Sequence, residues 1–172
     1  MRRLCIVFAT LILVTALFLA GCGSQEKNQS TPKSPVSTKK LPANAEEVVK
    51  ALKESGLPIG KVMVFTAEND PNSLLGRPGQ YTSKVNFVDT RINEPVSDKD
   101  ISVENGGSVE FFANKEDAKK RYEYVSAIAK SGPPMFVEYD YLVDKVLLRV
   151  SGKLTPQQAA EYEAKLKEIM MK

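Results

Sequence analysis

The chain has 172 residues, 42% of them hydrophobic, with 24 Lys+Arg against 21 Asp+Glu. It contains no histidine and only two cysteines, Cys5 and Cys22, so Ser-His-Asp and Cys-His catalysis are excluded and the commonest metal ligand is missing. The formal charge of +3 is uneven: residues 23–40 carry +3 and residues 41–172 carry −2, so nothing points to nucleic acid.

In chain order, Met1-Arg2-Arg3 precedes an apolar run from Leu4 to Ala20, which ends in Leu19-Ala20-Gly21-Cys22. A basic start, an apolar core and small residues before the cut make a secretory signal peptide. The run is shorter than the ~20 apolar residues that span a bilayer comfortably, and an uncleaved anchor is the alternative reading. The Leu-Ala-Gly-Cys ending resembles the lipobox of bacterial lipoproteins. That resemblance implies loss of residues 1–21 and a diacylglyceryl group on Cys22, holding the protein at the extracytoplasmic face of the cell membrane. Two acyl chains anchor stably where one binds marginally. With Cys5 removed and Cys22 lipidated, no thiol is left for a disulfide, a zinc site or a nucleophile.

Residues 22–40 read as the lipidated cysteine and a flexible basic linker, rich in Ser, Thr, Gln, Lys and Pro. Such composition cannot bury enough surface to offset the entropy of ordering. A coil of this length spans about 25 Å on average. Lys27, Lys33, Lys39 and Lys40 stand against Glu26 beside the anchor, an arrangement favourable near anionic lipid. The plainer reading is that the lysines keep the linker soluble. Ser37-Thr38-Lys39-Lys40 matches a Ser-x-x-Lys pattern by chance, because its partner motifs are missing.

Residues 41–172 form one domain. Asn44 as N-cap, Glu47 three residues later and the apolar set Ala45, Val48, Val49 and Leu52 predict a helix, ended by Gly56 and Pro58. Lys61 to Phe65 reads as a buried strand. A turn-rich loop runs from Glu68 to about Lys84, and a strand from about Val85 to Thr90. Ile101–Glu104 and Ser108–Phe112 flank Asn105-Gly106, a dipeptide suited to a tight hairpin with positive φ at both central residues. A helix starts after Asn114, with Ala118, Tyr122, Val125 and Ala129 on one face, and Ser131-Gly132-Pro133-Pro134 stops it. Phe136–Val143 and Val146–Val150 are strands joined by Asp144-Lys145, a poor tight turn because lysine disfavours positive φ. Thr155, Pro156 and Gln158 open the last helix, whose stripe is Ala159, Tyr162, Leu166, Ile169 and Met170. The expected fold is α+β: a two-layer sandwich with a mostly antiparallel sheet of about five to six strands and three helices on one face.

Three segments are similar to a group of small, uncharacterised bacterial envelope lipoproteins: DPNSLLGRPGQYTSK at 70–84, GGSVEFF at 106–112 and LLRVSGKLTPQQAAEY at 147–162. The resemblance implies envelope location and carries over no known activity, ligand or catalytic residue. The best local candidate for a ligand site is the 70–84 loop, through Asp70, Asn72, Arg77, Gln80, Tyr81 and Lys84. Arg77 and Lys84 suit a carboxylate or phosphate, with glycine letting backbone N–H groups approach. The loop is neither a nucleotide loop nor a calcium loop, since Ser83 precedes Lys84 and Leu74 and Leu75 stand where a calcium loop needs an oxygen ligand and a glycine. The competing reading is structural: two turns, with Leu74 and Leu75 plugging the core. Tyr139 and Tyr141 read as the core face of a strand rather than an aromatic binding stripe, and Arg149 as a cross-strand partner of Glu138 or Asp140. No cofactor, metal site or catalytic residue is expected. The leading function is a membrane-anchored, non-catalytic binding module for a cell-envelope component, small anion or protein. The alternatives are a structural or assembly lipoprotein acting by protein–protein contact, and a small histidine-free hydrolase.

Overall fold

A computed structural model describes residues 40–133 and 137–171. The signal peptide, Cys22, nearly all of the 22–40 linker and Phe136, the expected first residue of its strand, lie outside the described residues. The described elements are α1 (Ala45–Glu54), β1 (Ile59–Val64), β2 (Tyr81–Asp89), β3 (Gly106–Phe112), α2 (Lys115–Ser131), β4 (Glu138–Val143), β5 (Val146–Ser151) and α3 (Pro156–Met170). The strands form one antiparallel sheet in the order β1-β2-β3-β5-β4, as the α+β expectation requires.

The helix starts follow their caps. Asn44 accepts from the Glu47 N–H at 2.8 Å and Asn114 from the Asp117 N–H at 2.9 Å. Thr155 and Gln158 close a reciprocal box at 3.3 and 2.9 Å, with Pro156 in the first turn. Gly56, at φ +95°, ends α1 in the left-handed conformation that glycine tolerates.

Cross-strand partners share a face, so the register assigns every sheet residue to a layer. Val85 pairs with Val109, Val109 with Leu148 and Leu148 with Tyr141. On that face Val48 and Leu52 of α1 and Tyr162 and Leu166 of α3 are buried in one cluster with Phe87, Val109 and Leu148. Each such side chain contributes roughly 1.5–3 kcal/mol by leaving water. Tyr162 stacks on Phe87 with ring centroids 5.4 Å apart. A second cluster joins Ala118 and Val125 of α2 to Tyr81, Phe112 and Leu147. Leu147 precedes Leu148 and therefore belongs to the opposite face. The one-face arrangement expected from the sequence thus describes α1 and α3, while α2 sits on the reverse. The physical reason lies partly in β5, where Leu147 stands opposite Val146, Leu148 and Val150 and needs cover of its own beside Arg149 and Ser151.

β1, expected as a buried strand, is an edge strand with Val62 and Val64 exposed, and two further stretches differ from the sequence expectation. Val103–Asn105 is a turn of 3₁₀ helix instead of a strand end, and no hairpin forms at Asn105-Gly106. The Asn105 side chain accepts from the Ser102 N–H at 2.8 Å and the Ser102 hydroxyl at 3.1 Å, closing the turn locally. Gly106 is required for another reason: a Cβ there would press on the Asp89 nitrogen and lie 2.5 Å from the Phe87 carbonyl oxygen. The second difference is β2, which starts at Tyr81 and draws the end of the expected loop into the sheet, pairing Tyr81 with Phe112 and Lys84 with Glu110. The Asp144-Lys145 turn is tight after all, because Asp144 takes the positive φ of 55° and Lys145 does not.

Candidate functional site

The sheet face under α2 carries charge where the other face carries hydrocarbon. One row in register across four strands reads Asn86, Ser108, Arg149, Asp140. Arg149 donates to both oxygens of Glu138 at 2.8 to 3.0 Å. Its guanidinium also lies 3.5 Å from Glu110 and 4.0 Å from Asp140. Arg121 reaches down from α2 and holds Glu110 through two bonds of 2.9 and 3.1 Å. Ser126, also on α2, donates to Asp140 Oδ2 at 3.1 Å. The cross-strand partners expected for Arg149 are therefore those it has, with Glu110 added.

Three carboxylates, Glu110, Glu138 and Asp140, thus face two guanidinium groups, and one negative charge is left over when all are ionised. The Glu138 and Asp140 side chains are only 10% and 4% exposed. Burial pushes Glu138 up to about 7 against the pull of Arg149, with the Asp140 charge adding to the rise. Burial raises Asp140 as well, opposed by Arg149 and by the Ser126 hydroxyl. Burial thus pushes both acids toward the neutral form.

The same row contains three buried atoms with no hydrogen-bond partner among the described residues: Asn86 Oδ1, Ser108 Oγ and Asp140 Oδ1. Two clefts open on this layer, with Glu138 in the wall of both. One, of about 230 Å³, lies between the 103–105 turn, α2 and β5, and is lined by Ser102, Val103, Val125, Ile128, Arg149 and Ser151. The other, of about 270 Å³, is a more open groove between α2 and the edge strand β4, lined by Tyr122, Ser126, Lys130, Asp140 and Tyr141.

Chemically, this layer is suited to accepting hydrogen bonds. The Arg149 fork is already engaged by Glu138, so it does not offer an external anion a bidentate hold. Glu138 and Asp140 sit two residues apart on one strand face. Glycoside hydrolysis needs two carboxyl groups flanking a bond at about 5–9.5 Å. Among the described residues, no group of three or more His, Cys, Asp or Glu is placed to hold a metal ion.

The loop residues singled out from sequence lie elsewhere, and most of their bonds run to one another. Asp70 is 4% exposed and accepts from the Leu74 and Leu75 N–H groups at 2.9 and 3.1 Å, the Tyr81 hydroxyl at 2.6 Å and Lys84 at 3.3 Å. Burial alone would raise its pKa, yet Tyr81, the Leu74 N–H and Lys84 together hold it at about 2. Burial lowers Lys84, against the attraction of Glu110 and Asp70. The Lys84 ammonium also lies 4.4 Å from the centre of the Phe65 ring. Asn72 donates to the Tyr81 hydroxyl at 3.3 Å. Leu74 and Leu75 pack against the α2 cluster, and Gly76 and Gly79 take φ of 74° in the turns. The geometry matches the structural reading of this loop. Arg77 stands exposed and Gln80 half-buried at its outer turn.

Glu110, Arg121 and Ser126 were not distinguishable from sequence as site residues. The available signal was parity: Ser108 and Glu110 alternate with Val109 and Phe111 in a buried strand, as Arg149 does with Leu148 and Val150. Among the described residues, no helix is long and apolar enough to cross a membrane. Comparison with protein-family models, curated proteins and solved structures finds no match to this chain.

Proposed function

We propose that the chain is an extracytoplasmic lipoprotein, anchored through a diacylglyceryl group on Cys22, whose domain is a non-catalytic binding module for a cell-envelope component. The observation that carries the reading is the apolar run ending at Leu19-Ala20-Gly21-Cys22 and followed by a polar tether. The binding role is supported by the two clefts beside Glu138, one of them lined also by Asp140, and by a guanidinium already engaged with Glu138. This moves the preferred ligand away from a small anion.

Metabolic labelling with a palmitate analogue tests the anchor. The wild-type chain incorporates label and fractionates with the membrane, and Cys22→Ala loses the label and is released or left unprocessed. An unlabelled wild-type chain in the cytosolic fraction would end this reading.

A further inference from the structure

We propose that β1 is a docking edge for a second copy of this chain, the two β1 strands pairing antiparallel about a two-fold axis at Met63 and joining two five-stranded sheets edge to edge. The inference is independent of what the clefts bind. Three observations carry it.

The first is the open edge. β1 pairs with β2 alone, and just past its end Phe65 donates to the Lys84 carbonyl at 3.0 Å. By antiparallel alternation the N–H and C=O groups of Val62 and Val64 therefore point away from β2. Their side chains stand 49% and 43% exposed beside Phe87 and Val85, on the sheet face that α1 and α3 cover further in. An edge both unpaired and apolar is a template for a further strand. The second is register. With Met63 on the axis, Val62 meets Val64 of the second copy, and each such pair exchanges two main-chain hydrogen bonds. Lys61, the residue type that guards such an edge, is held by Asp98 at 2.5 Å and falls opposite Phe65 of the second copy rather than another lysine. The third is charge. Lys53 of α1 reaches one end of β1, donating to the Gly60 carbonyl at 3.3 Å. Glu68 stands exposed past the other end, where the Thr66 side chain holds its carboxyl below the ordinary pKa. Neither has an oppositely charged partner among the described residues. Antiparallel pairing sets the Gly60 end of each copy against the Thr66 end of the other, so Lys53 meets Glu68 twice in the symmetric dimer.

The test follows the full-length chain by analytical ultracentrifugation in density-matched non-ionic detergent. A monomer–dimer equilibrium that shifts toward dimer with concentration is expected. Lys53→Glu and Glu68→Lys are each expected to weaken the dimer about tenfold, through two like-charge encounters, and the double exchange to recover most of the loss. Val64→Lys, at an exposed position that leaves the core intact, is expected to remove the dimer. Under mild oxidation Met63→Cys is expected to link the two copies through residue 63, because facing residues of such a pair lie within disulfide reach. Mass spectrometry of the linked peptide identifies that bond. A monomer at every concentration up to about 1 mM, a dimer indifferent to Val64→Lys, no recovery in the charge exchange, or a dimer without the residue-63 link would each overturn the assignment.

Discussion

Asp70 shows how a residue that looks like a ligand-binding group can serve the fold instead. Its carboxylate collects two backbone N–H groups, a tyrosine hydroxyl and a lysine, and so converts a Gly/Pro-rich loop into a fixed cover over Tyr81 and Phe112. Removing one partner of a buried ion pair costs about 3–5 kcal/mol, because the other charge stays buried. Asp70→Asn keeps the shape and removes the charge, stranding Lys84. It is expected to lower unfolding stability by about that amount, seen as a lower urea midpoint at unchanged slope. Arg77→Ala, at the exposed turn of the same loop, is expected to stay within about 0.5 kcal/mol of wild type. Equal losses from both changes would contradict the division between a buried anchor and a solvated tip. Asp89 plays a similar part on the opposite face. It accepts from Arg91 and from the Tyr162 hydroxyl at 2.7 Å, fastening α3 to the end of β2.

At the scale of elements, the sequence was legible wherever a local rule decides the outcome. The caps at Asn44, Asn114 and Thr155 act within three residues of themselves, so pattern alone finds them. The Asn105-Gly106 hairpin failed because the same dipeptide satisfies two different needs. Asn105 turns back on Ser102, and Gly106 admits the backbone of β2 at a distance that only tertiary packing sets. Gly106→Ala should therefore destabilise by about 1–3 kcal/mol or more, since the obstacle is main chain and cannot rotate aside. Thermal unfolding of this variant beside Thr155→Ala, expected to lose about 1 kcal/mol, separates a packing clash from a lost cap. A Gly106→Ala variant as stable as wild type would restore the turn explanation. The placement of α2 was hidden for a related reason. β5 sets Val146, Leu148 and Val150 on one face and Leu147, Arg149 and Ser151 on the other, and helix periodicity alone does not say which of these faces a given helix covers. The Arg149 pairing with Glu138 was readable across a short hairpin, whereas Glu110 and Arg121 join only through the order β3-β5-β4.

The whole molecule sets a hydrocarbon layer on one face of its sheet against an ionic layer on the other, and the two respond differently to pH. Hydrophobic burial under α1 and α3 does not titrate. Beneath α2, Glu138 is pushed from 4.5 up to about 7 by burial, so between those values the folded chain holds more proton than the unfolded one. Stability therefore falls as pH rises through that window. Asp70 acts with the opposite sign: held at about 2 against an ordinary 3.8, it stabilises above about pH 4 and loses that contribution as pH falls toward 2. Asp89, also lowered against its burial by its bonds to Arg91, adds to the acid-side loss. The two slopes place maximal stability between about pH 4 and 5, below the usual neutral optimum. From pH 5 to 8 the wild-type chain is expected to lose on the order of 2–3 kcal/mol, and Glu138→Gln to flatten most of that descent. Urea midpoints taken at half-unit steps from pH 3 to 8 check both curves. A wild-type midpoint that climbs from pH 5 to 8 would mean that no surplus carboxylate is buried under α2, and the ionic layer would then have to be neutral without a proton.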